Sequence, residues 1–281
     1  MKWRLKIFCK ILLSKFPFHY SIWKSFGLFK HGKMDSLEYP IKIFNLHIKK
    51  AYPEIIPRNL TTLELGPGDS IASAIIGYAY GVSKTYLIDV GDYATKDISF
   101  YKELANKLKF KGLRVPDLSE VSSFEEILKL SNAMYLKDGL DSLKDLKSNS
   151  IDYIWSHSVL EHIRKKTFLK VQKELIRILK PSGIISHNID FQDHLDHSLN
   201  SLRFSEKLWE SDLFANAGFY TNRIPAKRMH TIFKEVGFIV KKESFGKWPL
   251  LPTRRKDMDK EFDIYSDSEL INRTSYVLLS K

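Results

Sequence analysis

Two hydrophobic periodicities alternate along the chain from Leu60 onward. Short apolar runs of strand length are Leu60–Leu65, Thr85–Ile88, Ala133–Leu136, Ile151–Ser156, Gly183–Ile189, Phe238–Phe245 and Ser275–Ser280. They predict seven strands. Between them, apolar residues recur three and four apart over Ser70–Tyr80, Ile98–Leu108, Phe124–Leu130, Thr167–Leu179 and Ala226–Val236. These stretches predict helices, the fourth closed by Lys180-Pro181-Ser182-Gly183 and the fifth stopped by Gly237. Strand–helix alternation of this kind implies an α/β domain with a mostly parallel sheet. Ahead of it, Trp3, Ile7, Phe8, Ile11 and Leu12 fall at helical spacing, and Ile41, Phe44 and Ile48 predict a helix over Tyr39–Lys50. The expected organisation is a basic amphipathic helical arm over residues 1–52 and one domain over 53–281. The segment Asp190–Pro225 exceeds an ordinary connection and is expected to form a lid-like insertion near 190–225.

Composition removes several classes. With 43% hydrophobic and 13% aromatic residues, the chain is not a disordered one. A single cysteine, Cys9, permits no internal disulfide and no cysteine-based zinc site, and it points to a reducing, cytoplasmic setting. The net charge is +12, but eight basic residues fall before the first acid, Asp35, so the chain beyond residue 33 nets only +4. That concentrates the charge on an arm whose apolar face carries Trp and Phe. Two readings of the arm stay open: a helix lying on an anionic membrane, or a cap packed on the domain. A nucleic-acid partner is disfavoured, because the apolar face suits neither a phosphate groove nor a solvated basic tail.

The strand Leu60–Leu65 runs into Leu63-Glu64-Leu65-Gly66-Pro67-Gly68-Asp69-Ser70. Glycines at this place let the backbone turn tightly and let a ligand approach the main chain, and Asp69 or Ser70 can cap the helix that follows. The run is neither G-x-G-x-x-G nor a P-loop, since no third glycine and no Gly-Lys-Ser/Thr end follows. Asp89 ends the second strand about 20 residues on, where a carboxylate can accept from both hydroxyls of a ribose. Asp138-Gly139 follows the third strand. The fourth reads Ile151-Asp152-Tyr153-Ile154-Trp155-Ser156 and continues to Val159-Leu160-Glu161-His162-Ile163.

In order and spacing these segments resemble the class I S-adenosylmethionine-dependent methyltransferases. Glu64–Gly68 is similar to the family's first motif, Asp89 to its second-strand acid, and Asp138 to the acid that contacts the adenine amino group. Leu179-Lys180-Pro181-Ser182-Gly183 resembles the helix-to-fifth-strand turn, with Ser182 in place of a glycine. The resemblance implies a Rossmann-like, seven-stranded, mostly parallel sheet with helices on both faces. It further implies S-adenosyl-L-methionine as cofactor, held by Glu64, Gly66, Gly68, Asp69, Asp89, Asp138, Gly139 and Ser156.

For the reacting group, Cys9 in the arm is no plausible nucleophile, and Ser156-His157-Ser158-Val159 stands where amino-group methyltransferases carry Asn-Pro-Pro-Tyr. The polar cluster Ser186–His197 closes the fifth strand. Asp190 and His194 are expected to form a carboxylate-oriented general base. Asp190, Asp193 and His194 as a divalent-metal site, or as loop-shaping groups, stay open beside it. Trp209, Phe219 and Tyr220 could stack on an acceptor ring, and Arg203 or Arg223 could bind an anionic group, or the stretch could simply pack as a lid. The pattern also resembles bacterial methyltransferases of glycan and cell-surface biosynthesis, in which Gly27–Met34 precedes the domain. The expected reaction is O-methylation of a sugar, glycan or glycolipid acceptor, with peripheral membrane contact through the arm. An RNA methyltransferase and a non-catalytic binding module are the rival readings.

Overall fold

The computed structural model describes residues 3–14 and 34–281. Residues 27–33 of the stretch before the domain, and Lys2, Lys15, Lys24, Lys30 and Lys33, lie outside the described residues. In chain order the α-helices and strands of the described residues are α1 (Trp3–Ser14), α2 (Tyr39–Ala51), β1 (Thr61–Leu65), α3 (Ala72–Ala79), β2 (Lys84–Ile88), α4 (Ile98–Phe110), α5 (Phe124–Leu130) and β3 (Ala133–Leu136). There follow α6 (Leu140–Lys144), β4 (Ile151–His157), α7 (Lys165–Ile178), β5 (Leu179–Asp190), α8 (Glu206–Trp209), α9 (Asp212–Ala215), α10 (Ala226–Val236), β6 (Ile239–Lys247), α11 (Asp267–Leu270) and β7 (Asn272–Ser280). All seven predicted strands form, in one sheet of order β3-β2-β1-β4-β5-β7-β6. β1 pairs in parallel with β2 and β4, and β2 with β3. The sheet is the seven-stranded, mostly parallel one of the Rossmann-like class. Strand order reverses beside β1, so a crevice opens at the carboxyl ends of β1 and β4, where open α/β sheets take their ligands.

Most boundaries fall within two residues of the sequence reading. The largest shift is at β5, which begins at Leu179 directly after α7, not at Gly183. The tight reversal expected of Lys180–Gly183 still leaves its mark. A Cβ on Gly183 would lie 2.6 Å from Leu179 Cδ1, so a side chain there would force Leu179 to shift. The insertion over 190–225 forms short helical turns, not one long helix.

The chain divides into two compact units, each discontinuous in sequence. One comprises 30–157, 171–187 and 278–281; the other comprises 1–29, 158–170 and 188–277. In the first, α2 lays Ile41, Phe44 and Ile48 into the core with Ile75, Ile76, Leu87, Tyr101, Tyr153 and Trp155. Phe44 meets Trp155 edge-on at 6.1 Å and lies 5.4 Å from Tyr80. Arg177 fixes the approach to β4 by donating to the carbonyls of Leu143, Lys144 and Leu146 at the end of α6. In the second unit, Ile7 of α1 packs with Leu195, Trp209, Phe214, Ala217, Phe219 and Tyr220. Among the described residues no helix is long and apolar enough to cross a membrane.

Phe44 is 2% exposed and joins α2 to the strand that carries Trp155. Phe44→Ala is expected to lower unfolding free energy by about 3–5 kcal/mol, read as a fall in the urea midpoint without a change in slope.

Candidate active site

The end of β1 is built by conflict between burial and charge. Glu64 is the fourth residue of a buried strand, and its carboxyl is 2% exposed. One of its oxygens, Oε2, finds no hydrogen-bond partner. Desolvation pushes the Glu64 carboxyl up to about 8. Gly66 and Gly68 then turn the chain at φ 72° and 64°, conformations that a side chain would strain. Leu65 stands in register with Ile88 on β2 and Ser156 on β4, so the turn leaves the sheet between those two strand ends.

Asp89 ties the turn to β2. Its Oδ2 accepts the Gly68 N–H at 3.1 Å, and its Oδ1 accepts the Val90 N–H at 2.8 Å. Burial raises this carboxyl above the ordinary aspartate range, the two amide hydrogen bonds oppose the rise, and Asp69 adds to it. The Asp89 carbonyl accepts the Gly139 N–H at 2.8 Å, which brings the Asp138–Gly139 turn to the same place. Asp138 itself is exposed, whereas Asp69 is fully buried and its carbonyl accepts the Thr95 N–H. Ser70 leaves the turn differently from a simple cap: its hydroxyl donates to the Met34 carbonyl at 2.5 Å, and α3 starts at Ala72. The structure therefore brings Glu64, Gly66, Gly68, Asp69, Asp89 and Gly139 together. An orphaned buried carboxylate oxygen, a second buried carboxylate and two glycines that bare the backbone suit a ligand rich in hydroxyl and amino donors. That chemistry fits the adenosine half of S-adenosylmethionine.

Ser156 differs from expectation. Its hydroxyl is fully buried and hydrogen-bonded to His187 Nδ1 at 2.7 Å, which directs it to β5. Beside it runs a second polar chain that the sequence did not reveal. His47 of α2 joins Ser186 Oγ at 2.7 Å through Nδ1 and His157 Nδ1 at 3.1 Å through Nε2. Burial and the Lys50 charge push His157 down to about 4. Burial, with His157, His187 and Lys50 nearby, drives His47 well below its ordinary value as well. Both rings are neutral at neutral pH, so the chain orders the tip of β4 without carrying charge.

The residues after β5 lie in the second compact unit. Asp190 and His194 do not form the expected pair. Asp190 accepts from the Gln192 main chain at 3.0 Å and from its side-chain amide at 3.0 and 3.2 Å, which makes it an Asx-type turn. His194 stacks on His162, with centroids 4.8 Å apart and planes 13° apart, and their Nε2 atoms are 3.0 Å apart. His162 Nδ1 lies 2.9 Å from the Tyr220 carbonyl. A carbonyl only accepts, so His162 carries its proton on Nδ1 and accepts at Nε2. His194 then donates from Nε2.

Asp193 serves the loop. It is fully buried, and its carboxylate accepts from the main-chain N–H groups of Leu195, Asp196, Ser198, Asn200 and Ser201. Among the described residues no three His, Cys, Asp or Glu side chains group to hold a metal ion. The acceptor-stacking and anion-binding expectations also meet other partners. Trp209, Phe219 and Tyr220 are buried against one another and against Ile7. Arg223 pairs with Glu206 and Glu261, and Arg203 with Asp257. Glu161 is buried, raised well above the carboxylate range by desolvation first and by Asp190 after, and accepts the Asp190 N–H at 3.3 Å. It borders a cavity of about 30 Å³ that also touches Asn222 and Arg223. That is room for a water, not for an acceptor.

The family of methyltransferase domains matches residues 63–186. No curated protein sequence matches the chain. Solved structures with a related trace include an S-adenosylmethionine-dependent methyltransferase from Mesorhizobium loti, 12% identical, covering 88% of this chain and 100% of its own at a TM-score of 0.48. PH0226 protein from Pyrococcus horikoshii is 14% identical and covers 94% and 99% at 0.48. Phosphoethanolamine N-methyltransferase 2 from Haemonchus contortus, solved with S-adenosyl-L-methionine, is 16% identical and covers 86% and 52% at 0.47.

Two predictions follow the carboxylates. Asp89→Ala removes the acceptor for Gly68 and is expected to weaken S-adenosylmethionine binding at least tenfold in titration calorimetry. Glu64 has a folded-state value near 8, above its unfolded one, so its contribution is fully present at low pH and is lost as pH rises through 8. Glu64→Gln is accordingly expected to raise the thermal midpoint of the ligand-free protein more at pH 9 than at pH 5. With its motif residues gathered at the carboxyl end of a Rossmann-like sheet, residues 63–186 of the protein match the methyltransferase domain family.

Proposed function

We propose that the enzyme methylates an oxygen of a small acceptor, with a sugar, glycan or glycolipid headgroup as the acceptor class. The observation that carries the reading is the relay from the Tyr220 carbonyl through His162 to His194. A hydroxyl must lose its proton as it takes the methyl, and an imidazole is suited to receive it near neutral pH. The proton-accepting role is assigned to His194 Nδ1. A proton taken there makes the Nε2–H bond to His162 a charge-assisted one, which stabilises the imidazolium as it forms. His162 thus replaces Asp190 as the group that orients His194. Asp190 shapes the turn that carries the histidine.

When bound, S-adenosylmethionine supplies a methyl group activated by the sulfonium it leaves. Glu64, Asp69, Asp89 and Asp138, with the main chain of Gly66, Gly68 and Gly139, are the residues proposed to hold it. Ser156 contributes through His187 by fixing β4 against β5. A glycolipid headgroup is met at a membrane surface, where the basic N-terminal segment would keep the enzyme.

His194→Ala is expected to lower kcat by about 10²–10⁴-fold and to leave S-adenosylmethionine affinity unchanged. Unchanged turnover rejects the assignment. His162→Ala should lower kcat less and leave KM for the cofactor where it was. Because Asp193 is consumed by main-chain N–H groups, turnover should survive EDTA; loss of turnover on chelation would restore the metal reading. A screen of candidate glycans with labelled cofactor tests the acceptor class, and labelling of RNA in place of every glycan would overturn it.

A further inference from the structure

We propose that α1 docks the protein on an anionic lipid bilayer through Leu5, Phe8 and Leu12. The helix has two apolar faces, and among the described residues only one of them packs into a core. Ile7 is buried against Leu195, Trp209, Phe214, Phe219 and Tyr220, with Trp3 and Ile11 packed beside it. Lys10 Nζ donates to the Gly218 carbonyl at 3.0 Å and Lys6 reaches Asp196 at 4.0 Å, which fixes the helix by its inner side. Leu5, Phe8 and Leu12 stand at i, i+3 and i+7, so they form a single stripe. They are 50%, 64% and 48% exposed.

Charge selects what covers the stripe. Arg4 is exposed on its flank, and no acidic residue precedes Asp35 in the sequence. An open groove of about 500 Å³ adjoins the helix, lined by Trp3, Arg4, Ile7, Arg203, Phe204 and Asp257. The Arg4 guanidinium lies 5.2 Å from the Trp3 ring centre and that of Arg203 lies 5.5 Å from it, so two cations bracket one indole. A bilayer carrying acidic headgroups satisfies both parts at once: acyl chains take the stripe, and phosphates meet Arg4, since Arg203 is already paired with Asp257. A second copy of the chain would bring the same cations face to face. The inference goes beyond the acceptor assignment and stands on α1 and its groove, whatever the acceptor is.

The test is co-sedimentation of the full chain with vesicles, read without turnover. The wild type is expected to bind phosphatidylglycerol–phosphatidylcholine vesicles and to bind pure phosphatidylcholine at least tenfold more weakly, with affinity falling as salt rises. L5E/F8E should lose at least tenfold on the acidic vesicles while keeping the wild-type thermal midpoint and S-adenosylmethionine affinity. R4E should lose affinity mainly at low salt. Equal binding by wild type and L5E/F8E overturns the proposal. So does a lipid-free dimer, seen by analytical ultracentrifugation, that L5E/F8E dissociates. Failure of the acceptor screen would leave these outcomes untouched.

Discussion

The carboxylate of Asp89 accepts the Gly68 N–H, and its main chain accepts the Gly139 N–H, so three turns meet at one residue. The turn after β1 is left-handed twice within three residues, and its amides are held inside, Gly66 N–H by the Ile88 carbonyl and Gly68 N–H by Asp89. Asp89 supplies the brace from the neighbouring strand. The same carboxylate is buried, and burial opposes its charge. A partner that donates hydrogen bonds relieves that opposition, which makes the brace and the binding site one device. The Gly-Pro-Gly turn and the Asp138–Gly139 turn are both tied to it.

What was legible in the sequence follows from distance along the chain. Strand and helix periodicity is local, and α5, β3 and α10 begin and end at the predicted residues. The Glu64–Gly68 run and Asp89 were legible because a strand, a turn and the next strand tip keep a fixed separation in parallel α/β units. Partners far apart were not. His194 takes its orientation from His162, 32 residues earlier, while the nearby Asp190 is captured by Gln192 two residues on. Adjacency in sequence favoured the wrong partner, because an aspartate beside a turn satisfies its own backbone first. His47 meets Ser186 across 139 residues, and nothing in either neighbourhood announces it.

The lid segment gives the same lesson in packing terms. Aromatic and arginine side chains in a long connection read equally well as a binding surface or as a small core. Trp209 is fully buried and donates its indole N–H to the Thr221 carbonyl at 2.7 Å, so its polar edge is satisfied inside. Arg223 is spent on Glu206, Glu261 and two carbonyls. A connection without long helices needs such an interior to hold its shape, and α1 completes it with Ile7. Arg4, Lys6 and Lys10 are therefore carried by an element that also has a packing task.

The position of α2 has a consequence for synthesis. Its apolar residues touch Tyr80 and Trp155, and β1 enters the sheet between β2 and β4. Every one of these partners is made later. At translation rates of about 5–20 residues per second, Trp155 follows Phe44 by roughly 5–20 s. For that interval a nascent helix carries an uncovered hydrophobic side outside or near the ribosome exit. A chain built in this order depends on whatever shields that side until β4 arrives.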